Sequence, residues 1–560
     1  MPHFDLIALN CRYSHSCLAL FYVRQELERN VPGARVHLLQ FTINDPYYPT
    51  LLRLAGSSAD VLFFSVYIWN ARYVKRLVRD LARIRPARPL VLGGPQAEVL
   101  EGLSPSCTVV RGEIEGAGGQ FFHDLAAISL RPMYQGEGGR PFPSPYRDDD
   151  FALELRNRYV YYESSRGCPF RCSYCLSSVQ SGVRHKELAL VEEELARILP
   201  FAPRIIKFVD RTFNDNPERA LAIWRYLAAQ PQPTKYHFEI APDRFIEEMF
   251  VFLAALPPGR FQFEIGIQST NPETLAAINR RMDAAAAMEN VRRLAGMGTV
   301  HLHVDLILGL PRETRESFRR SLNHVFALGA HHIQMGLLKV LPTTPLSREV
   351  DAFGLLHCEQ PPFEVLATRW LAQPELGELH ALGECVEAFH NNNYFPTLWR
   401  YLRRIGEEPF SFFHGLLSVC RQHGFFELSA TQELLARMLC ELAGDRSDRE
   451  LLLELMRYDW LSCGHRFLPL FLEARPLAEV RAELRHSLPP SLDGWYNVRE
   501  RSEFLKRGVF LELSGQAAEV IELSRAGRTV TAFFLLEENA GTGRRVRVAA
   551  LDLPHGTGEE

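Results

Sequence analysis

Through the first 345 residues apolar positions come in short blocks, and between the blocks they recur at helical spacing. Near the start the blocks cover 4–9, 36–41, 61–66, 90–92 and 108–110. Runs this short, bounded by turn residues, suit strands covered on both faces. The intervening segments 17–30 and 71–84 are amphipathic and long enough for helical crossovers. Five strands joined in this way predict an α/β, doubly wound, Rossmann-like (flavodoxin-like) sheet over residues 1–130, with its ligand beyond the carboxyl ends of the strands. Those ends carry Asn10 to His15, then Ser65, Tyr67, Trp69 and Asn70, the turn Gly93-Gly94-Pro95, and Arg111-Gly112-Glu113-Ile114-Glu115. Gly93 and Gly94 permit the backbone to come close to a large, flat ligand.

Both periodicities break over 131–158, which is rich in Gly and Pro and ends in Asp148 to Asp150; it reads as a linker. A second alternation then runs over 159–345, with strands at 159–163, 205–209, 236–240, 261–267, 301–308 and 332–338. Six strands and five crossovers predict a partial TIM-type β/α barrel with its chemistry at the carboxyl ends. Residues 346–485 read as a helical domain, with ~364–390 and ~412–480 its main helical stretches. Residues 486–560 read as a small β unit, with strands at 509–513, 530–536 and 546–551 and a disordered tail at 554–560.

Composition narrows the classes. The chain has 560 residues, a formal net charge of −4 and no broad basic excess, so bulk nucleic-acid binding is not indicated. Eleven cysteines, no apolar run long enough for a membrane helix and an acid and a histidine at the start, where a signal peptide would be basic, predict a reduced, cytoplasmic protein.

Cys168-Pro-Phe-Arg-Cys172-Ser-Tyr-Cys175 brings chemistry of its own. Three thiolates this close can grip a 4Fe-4S cluster, and a cubane held by three cysteines keeps one iron corner for another ligand. A structural zinc ion wants four ligands, commonly from two C-x-x-C pairs; no second pair exists, and zinc or a chance grouping stands as the alternative. On the fourth barrel strand Glu264, Gly266 and Gln268 share a face, as do His301, His303 and Asp305 on the fifth. A carboxylate and an amide inside a barrel need partners, either a ligand or each other. The second set reads as a metal cluster, a proton relay, or polar groups bonded to one another and to substrate.

With Tyr174 just before its third cysteine, the loop resembles the signature of the radical S-adenosylmethionine (SAM) superfamily. The resemblance implies that SAM's amino and carboxylate groups chelate the open iron and that one electron cleaves it to a 5′-deoxyadenosyl radical. It assigns Cys168, Cys172 and Cys175 to the cluster. It assigns Tyr174, Asp210, Glu264, Gln268, Ser269 and Gly309 to SAM, with Asp210 at the methionine end and Gly309 on the adenine side. The first domain resembles the cobalamin-binding domain of one branch, through its Gly-Gly-Pro turn and Gly-Glu-Ile-Glu segment, and that places Ser65, Tyr67, Trp69, Gly93, Gly94 and Glu115 around cobalamin. The D-x-H-x-x-G motif of classical cobalamin domains is absent; His15 stands near the right strand end, as a cobalt ligand or as a polar loop residue. A Rossmann-like domain that binds no cobalamin is the alternative. The C-terminal part resembles an appendage of one uncharacterised subgroup. Together these imply methyl transfer from SAM through cobalt to an unactivated carbon of a small-molecule or peptide substrate, fed by an electron donor such as flavodoxin or ferredoxin. A radical oxidation, cyclisation or rearrangement, or a non-catalytic SAM-sensing or redox protein, are the other readings.

Overall fold

The computed structural model describes residues 1–178, 182–473, 475–492, 494–524, 529–539 and 543–551; the expected tail at 554–560 lies outside them. The chain forms two compact units, residues 1–318 with 336–377, and residues 319–335 with 378–560. Among the described residues no helix is long and apolar enough to cross a membrane.

The first sheet contains β1 (His3–Asn10), β2 (Arg35–Thr42), β3 (Val61–Ser65), β4 (Leu90–Gly93), β5 (Cys107–Arg111) and β6 (Met133–Gln135), all parallel, in the order β2-β1-β3-β4-β5-β6. Alternate side chains serve opposite faces. Ile7, Leu9, Leu62 and Phe64 join one apolar core, while Phe4, Leu6, Val61 and Phe63 join the other. Two stretches of the expected linker form regular structure. Residues 133–135 add β6 to the sheet edge, and Asp148–Leu153 form a short helix whose Asp150 takes a two-pronged ion pair from buried Arg24. Gly and Pro hid a strand of only three residues from a periodicity reading.

In the barrel, β7 (Val160–Tyr162) leads into a hairpin of β8 (Ser165–Gly167) and β9 (Val183–His185). Then come β10 (Ile205–Phe208), β11 (Lys235–Ile240), β12 (Phe261–Gln268), β13 (Val300–Leu308) and β14 (His332–Leu337), ordered β7-β10-β11-β12-β13-β14. Along β12 and β13 buried and half-buried residues alternate. The buried set packs outward, where Trp224 meets Phe213, Phe238, Phe261 and Phe263. The other set looks into the barrel. A second hairpin, β15 (Leu356–His357) with β16 (Val365–Ala367), follows the barrel where part of a helical stretch was expected.

The second unit is helical from residue 378 onward, with helices such as Pro396–Arg404, Pro409–Gln422 and Arg449–Ser462, and carries an antiparallel sheet of β17 (Val509–Leu513), β18 (Val530–Asn539) and β19 (Gly543–Leu551). Buried Asp459 accepts the Thr397 and Leu398 N–H groups at the start of the helix 396–404. Burial pushes its pKa up to about 8.

Candidate active site

The β8–β9 hairpin frames the cysteine loop, because Gly167 pairs with Val183 and closes residues 168–182 into one excursion. Gly167 sits at φ +99°, and a Cβ there would lie 2.1 Å from the Gly182 carbonyl oxygen, so the entry to the loop requires glycine. Ser173 N–H bonds the Ile278 carbonyl and Asn279 Nδ2 bonds the Arg171 carbonyl, fixing the loop to the segment after β12. Cys168 and Cys172 are buried and Cys175 is half-buried. Arg280 supplies positive charge, its Nη1 reaching Cys172 Sγ at 3.6 Å. Burial raises the Cys172 pKa and the Arg280 guanidinium opposes it.

Beside the thiols lies a cavity of about 210 Å³, partly open to solvent. Its walls include Cys168, Cys172, Tyr174, Cys175, Glu264, Gly266, Gln268 and Asp305. Gly266 is necessary to this wall: a Cβ would lie 2.2 Å from Gln268 Nε2 and 3.4 Å from Arg280 Nη2. The register slips between Gly266 and Gln268, and Gln268 adopts φ +71°, which costs a non-glycine residue about 1 kcal/mol or more. Such bulges re-aim side chains. Gln268 Oε1 and Asp305 Oδ1 are buried against this cavity without hydrogen-bond partners. Glu264 is held from behind by His237 Nε2 at 3.0 Å, and that hydrogen bond lowers its pKa. Burial, then the charges of Glu264 and Glu239, raise Asp305 well above the ordinary range. Burial likewise takes Glu239 up to about 7 against the pull of Arg211.

Three of the residues assigned to SAM lie elsewhere. β10 ends at Phe208, so Asp210 turns back and accepts Ser164 N–H and the Ser164 and Ser165 hydroxyls at 2.6–3.0 Å. Its neighbours Arg211 and Thr212 line the cavity instead. Ser269 is fully buried outside the lining, its hydroxyl accepting the Asn271 N–H. Gly309 has φ +82°, and a Cβ would strike Val365 Cγ1 at 2.6 Å, so β16 packs close against it. Arg211, Glu239 and Arg280, to which the sequence alone assigned no role, also line the cavity. Glu239 precedes the end of β11 as Glu264 sits on β12, and the strand pairing Glu239 with Glu264 is the signal that would have found it. His301 and His303 stack edge to face at 5.0 Å, while Gln262 Nε2 lies 3.1 Å from His303 Nε2.

On the first domain, Tyr67 and Trp69 stack at 4.4 Å beyond β3, and Trp69 remains 46% exposed, as flat apolar contact with a ligand would need. Gly94 is exposed at φ +107°, and a Cβ there would lie 2.7 Å from the Val66 carbonyl oxygen. Gly93 has room beside it: the one atom a Cβ there would approach is the Val110 carbonyl oxygen, 4.0 Å away. Ser65 is buried, its hydroxyl turned to the Ile7 carbonyl. Glu115 is likewise spent, on Arg166 Nη2 at 2.9 Å. The same guanidinium pairs with Glu113 and Glu163, so the Gly-Glu-Ile-Glu segment grips the residue two before Cys168. His15 Nδ1 meets the Tyr161 hydroxyl at 2.5 Å, and burial lowers its pKa.

Three family models match successive parts of the chain. They are the B12 binding domain over residues 5–121, the radical SAM superfamily over 162–325, and a protein of unknown function (DUF4080) over 351–491. Among curated proteins, 2-(S-pantetheinyl)-carbapenam-3-carboxylate methyltransferase of Streptantibioticus cattleyicolor is 26% identical over 409 residues, 62% of this chain and 59% of that protein. The cobalamin-dependent radical SAM methyltransferase TokK of Streptomyces tokunonensis matches with the same identity and the same coverage. The chain thus spans 59% of the length of these relatives. Among solved structures, the cobalamin-dependent SAM radical enzyme OxsB with aqua-cobalamin superposes with a TM-score of 0.57 at 15% identity, covering 90% of this chain and 84% of that one. The radical SAM methyltransferase TsrM of Kitasatospora setae superposes at 0.54 and 17% identity, over 76% of this chain and 100% of that one. At these identities the likeness is one of fold.

Proposed function

We propose, for a chain that belongs to the radical SAM superfamily and carries a B12 binding domain ahead of its barrel, that it is a cobalamin-dependent methyltransferase acting on an unactivated carbon. One observation carries the reading. Three thiols share a cavity with buried, unpartnered Gln268 Oε1 and Asp305 Oδ1. An ammonium group and ribose hydroxyls are the donors that would complete those acceptors. When bound, the cluster and SAM supply a 5′-deoxyadenosyl radical, and the corrinoid carries the methyl group.

The chain's own residues do the positioning. Cys168, Cys172 and Cys175 hold the cluster, and Arg280 offsets its charge from one side. Tyr174, Glu264 and Gln268 face SAM from the loop and from β12. Glu239 and Arg211, across the cavity, complete its polar wall. Trp69, Tyr67, Gly93 and Gly94 offer the corrinoid a flat surface beyond β3 and β4. Arg166, bound to Glu113 and Glu115, ties that domain to the cysteine loop, so the two cofactors are held to one substrate. We assign residues 1–130 to corrinoid binding and 159–345 to the radical barrel, in a cytoplasmic enzyme with a small-molecule or peptide substrate and an external electron donor such as flavodoxin or ferredoxin.

The test is anaerobic incubation of the reconstituted protein with SAM and a strong reductant. Formation of 5′-deoxyadenosine, together with a corrinoid spectrum after purification with cobalamin, supports the assignment. An intact cluster that yields no 5′-deoxyadenosine overturns the radical chemistry, and a chain that retains no corrinoid overturns the methyl-transfer route.

A further inference from the structure

The amino-terminal edge of the first sheet, opposite the ligand end, carries a second group of ligating side chains. His3 and Asp5 are two residues apart on β1 and so share a face. His37 stands beside Asp5 on β2 in parallel register. Three donor atoms converge there: His3 Nε2 is 3.1 Å from His37 Nδ1 and 3.4 Å from Asp5 Oδ1, and His37 Nδ1 is 3.6 Å from Asp5 Oδ1. Among the described residues it is the only set of three or more His, Cys, Asp or Glu donors lying within 4.8 Å of one another. Ligand atoms about 2.0–2.2 Å from one ion stand at separations of this order.

The surrounding atoms orient the donors as metal ligands are oriented. Ser57 Oγ donates to Asp5 Oδ2 at 2.5 Å, leaving Oδ1 for the group. Ser58 Oγ lies 3.4 Å from His3 Nδ1. With the His3 proton on Nδ1 toward Ser58, Nε2 presents its lone pair; His37 reaches the same point with Nδ1 while its exposed side chain keeps Nε2 in solvent. The 3.1 Å His3–His37 contact is within hydrogen-bond range, so either a proton on one nitrogen or a cation in its place holds the three donors together. Strands fix all three residues, which is the rigidity a metal site needs.

We propose that His3, Asp5 and His37 bind one divalent transition-metal ion of the zinc class, with solvent completing its coordination. Two imidazoles and one carboxylate select borderline metals such as zinc over magnesium or calcium. His3 and Asp5 are buried and His37 is on the surface, so the ion has an entry path and an open position. The ion fastens edge strand β2 to β1 at a point remote from the cysteine loop, and the proposal does not depend on the function assigned to that loop.

The experiment is calorimetric titration of the full-length, cluster-loaded protein with zinc chloride under anaerobic conditions, beside His37→Ala and Asp5→Asn. The expected result is one zinc ion per chain, with affinity about tenfold weaker or worse in His37→Ala and iron content unchanged. His37 is exposed, so its replacement leaves the fold standing even if Asp5→Asn does not. Equal zinc stoichiometry and affinity in wild type and His37→Ala overturns the proposal, as does a wild-type protein that takes up no zinc.

Discussion

In the first sheet all eight residues of β1 and all five of β3 are buried, so both faces serve packing and, at the ligand end, chemistry is left to the turns beyond the strands. In the barrel, β12 and β13 bury only every second residue, and of the other set Glu264, Gly266, Gln268 and Asp305 line the cavity. The strands are equally apolar on their packed sides. The difference lies in what covers the second face: helices in one sheet, a ligand space in the other. A strand-borne site is rigid and has a period that can be read, whereas a turn-borne site depends on how each loop settles.

Replacing Cys168 with alanine removes the barrel's chemistry and leaves the first sheet alone. It should abolish 5′-deoxyadenosine formation and reduce bound iron to background, as measured by iron analysis and chromatography. Gly266→Val strikes the ligand face of β12, where its side chain would meet Gln268 and Arg280. SAM affinity should fall by about a hundredfold in equilibrium dialysis, with iron retained. Arg166→Gln attacks the join between the two regions by leaving Glu113, Glu115 and Glu163 without their shared cation. Loss of about 2–4 kcal/mol in urea unfolding is expected. Glu239 sharpens the contrast through pH. Its pKa is raised to about 7, so it is protonated below that value and gains the charge that attracts a cationic ligand above it. SAM should therefore bind several-fold more tightly at pH 8 than at pH 6, and Glu239→Gln should flatten the change. The smallest effect is expected from Trp69→Ala, a loss of about threefold to tenfold in cobalamin affinity with SAM binding untouched.

The same comparison explains what the sequence reveals. The five expected strands of the first sheet, the six barrel strands and the cavity-facing set Glu264, Gly266 and Gln268 follow from short apolar blocks, period-two patterns and local spacing. Asp210 and Gly309 each lie just past a strand end, where alternation no longer fixes direction. Asp210 is captured by two serines more than forty residues earlier, and Gly309 by Val365, 56 residues later. Glu115 sits in a segment typical of a ligand edge, yet its partner is Arg166, whose position depends on the packing of one domain against the next. Such long-range pairings leave no periodic trace. β6 escaped notice for a simpler reason, since three residues among glycines and prolines are too few to show a period.

The account rests on SAM lying between the cysteine loop and the inner face of β12. Electron paramagnetic resonance of the anaerobically reduced protein, recorded before and after SAM is added, tests this directly. The account predicts one 4Fe-4S signal per chain, with g-values that move on SAM addition in wild type and stay fixed in Gly266→Val. A wild-type cluster whose spectrum ignores SAM, or a cluster that forms equally well without the three cysteines, would contradict it.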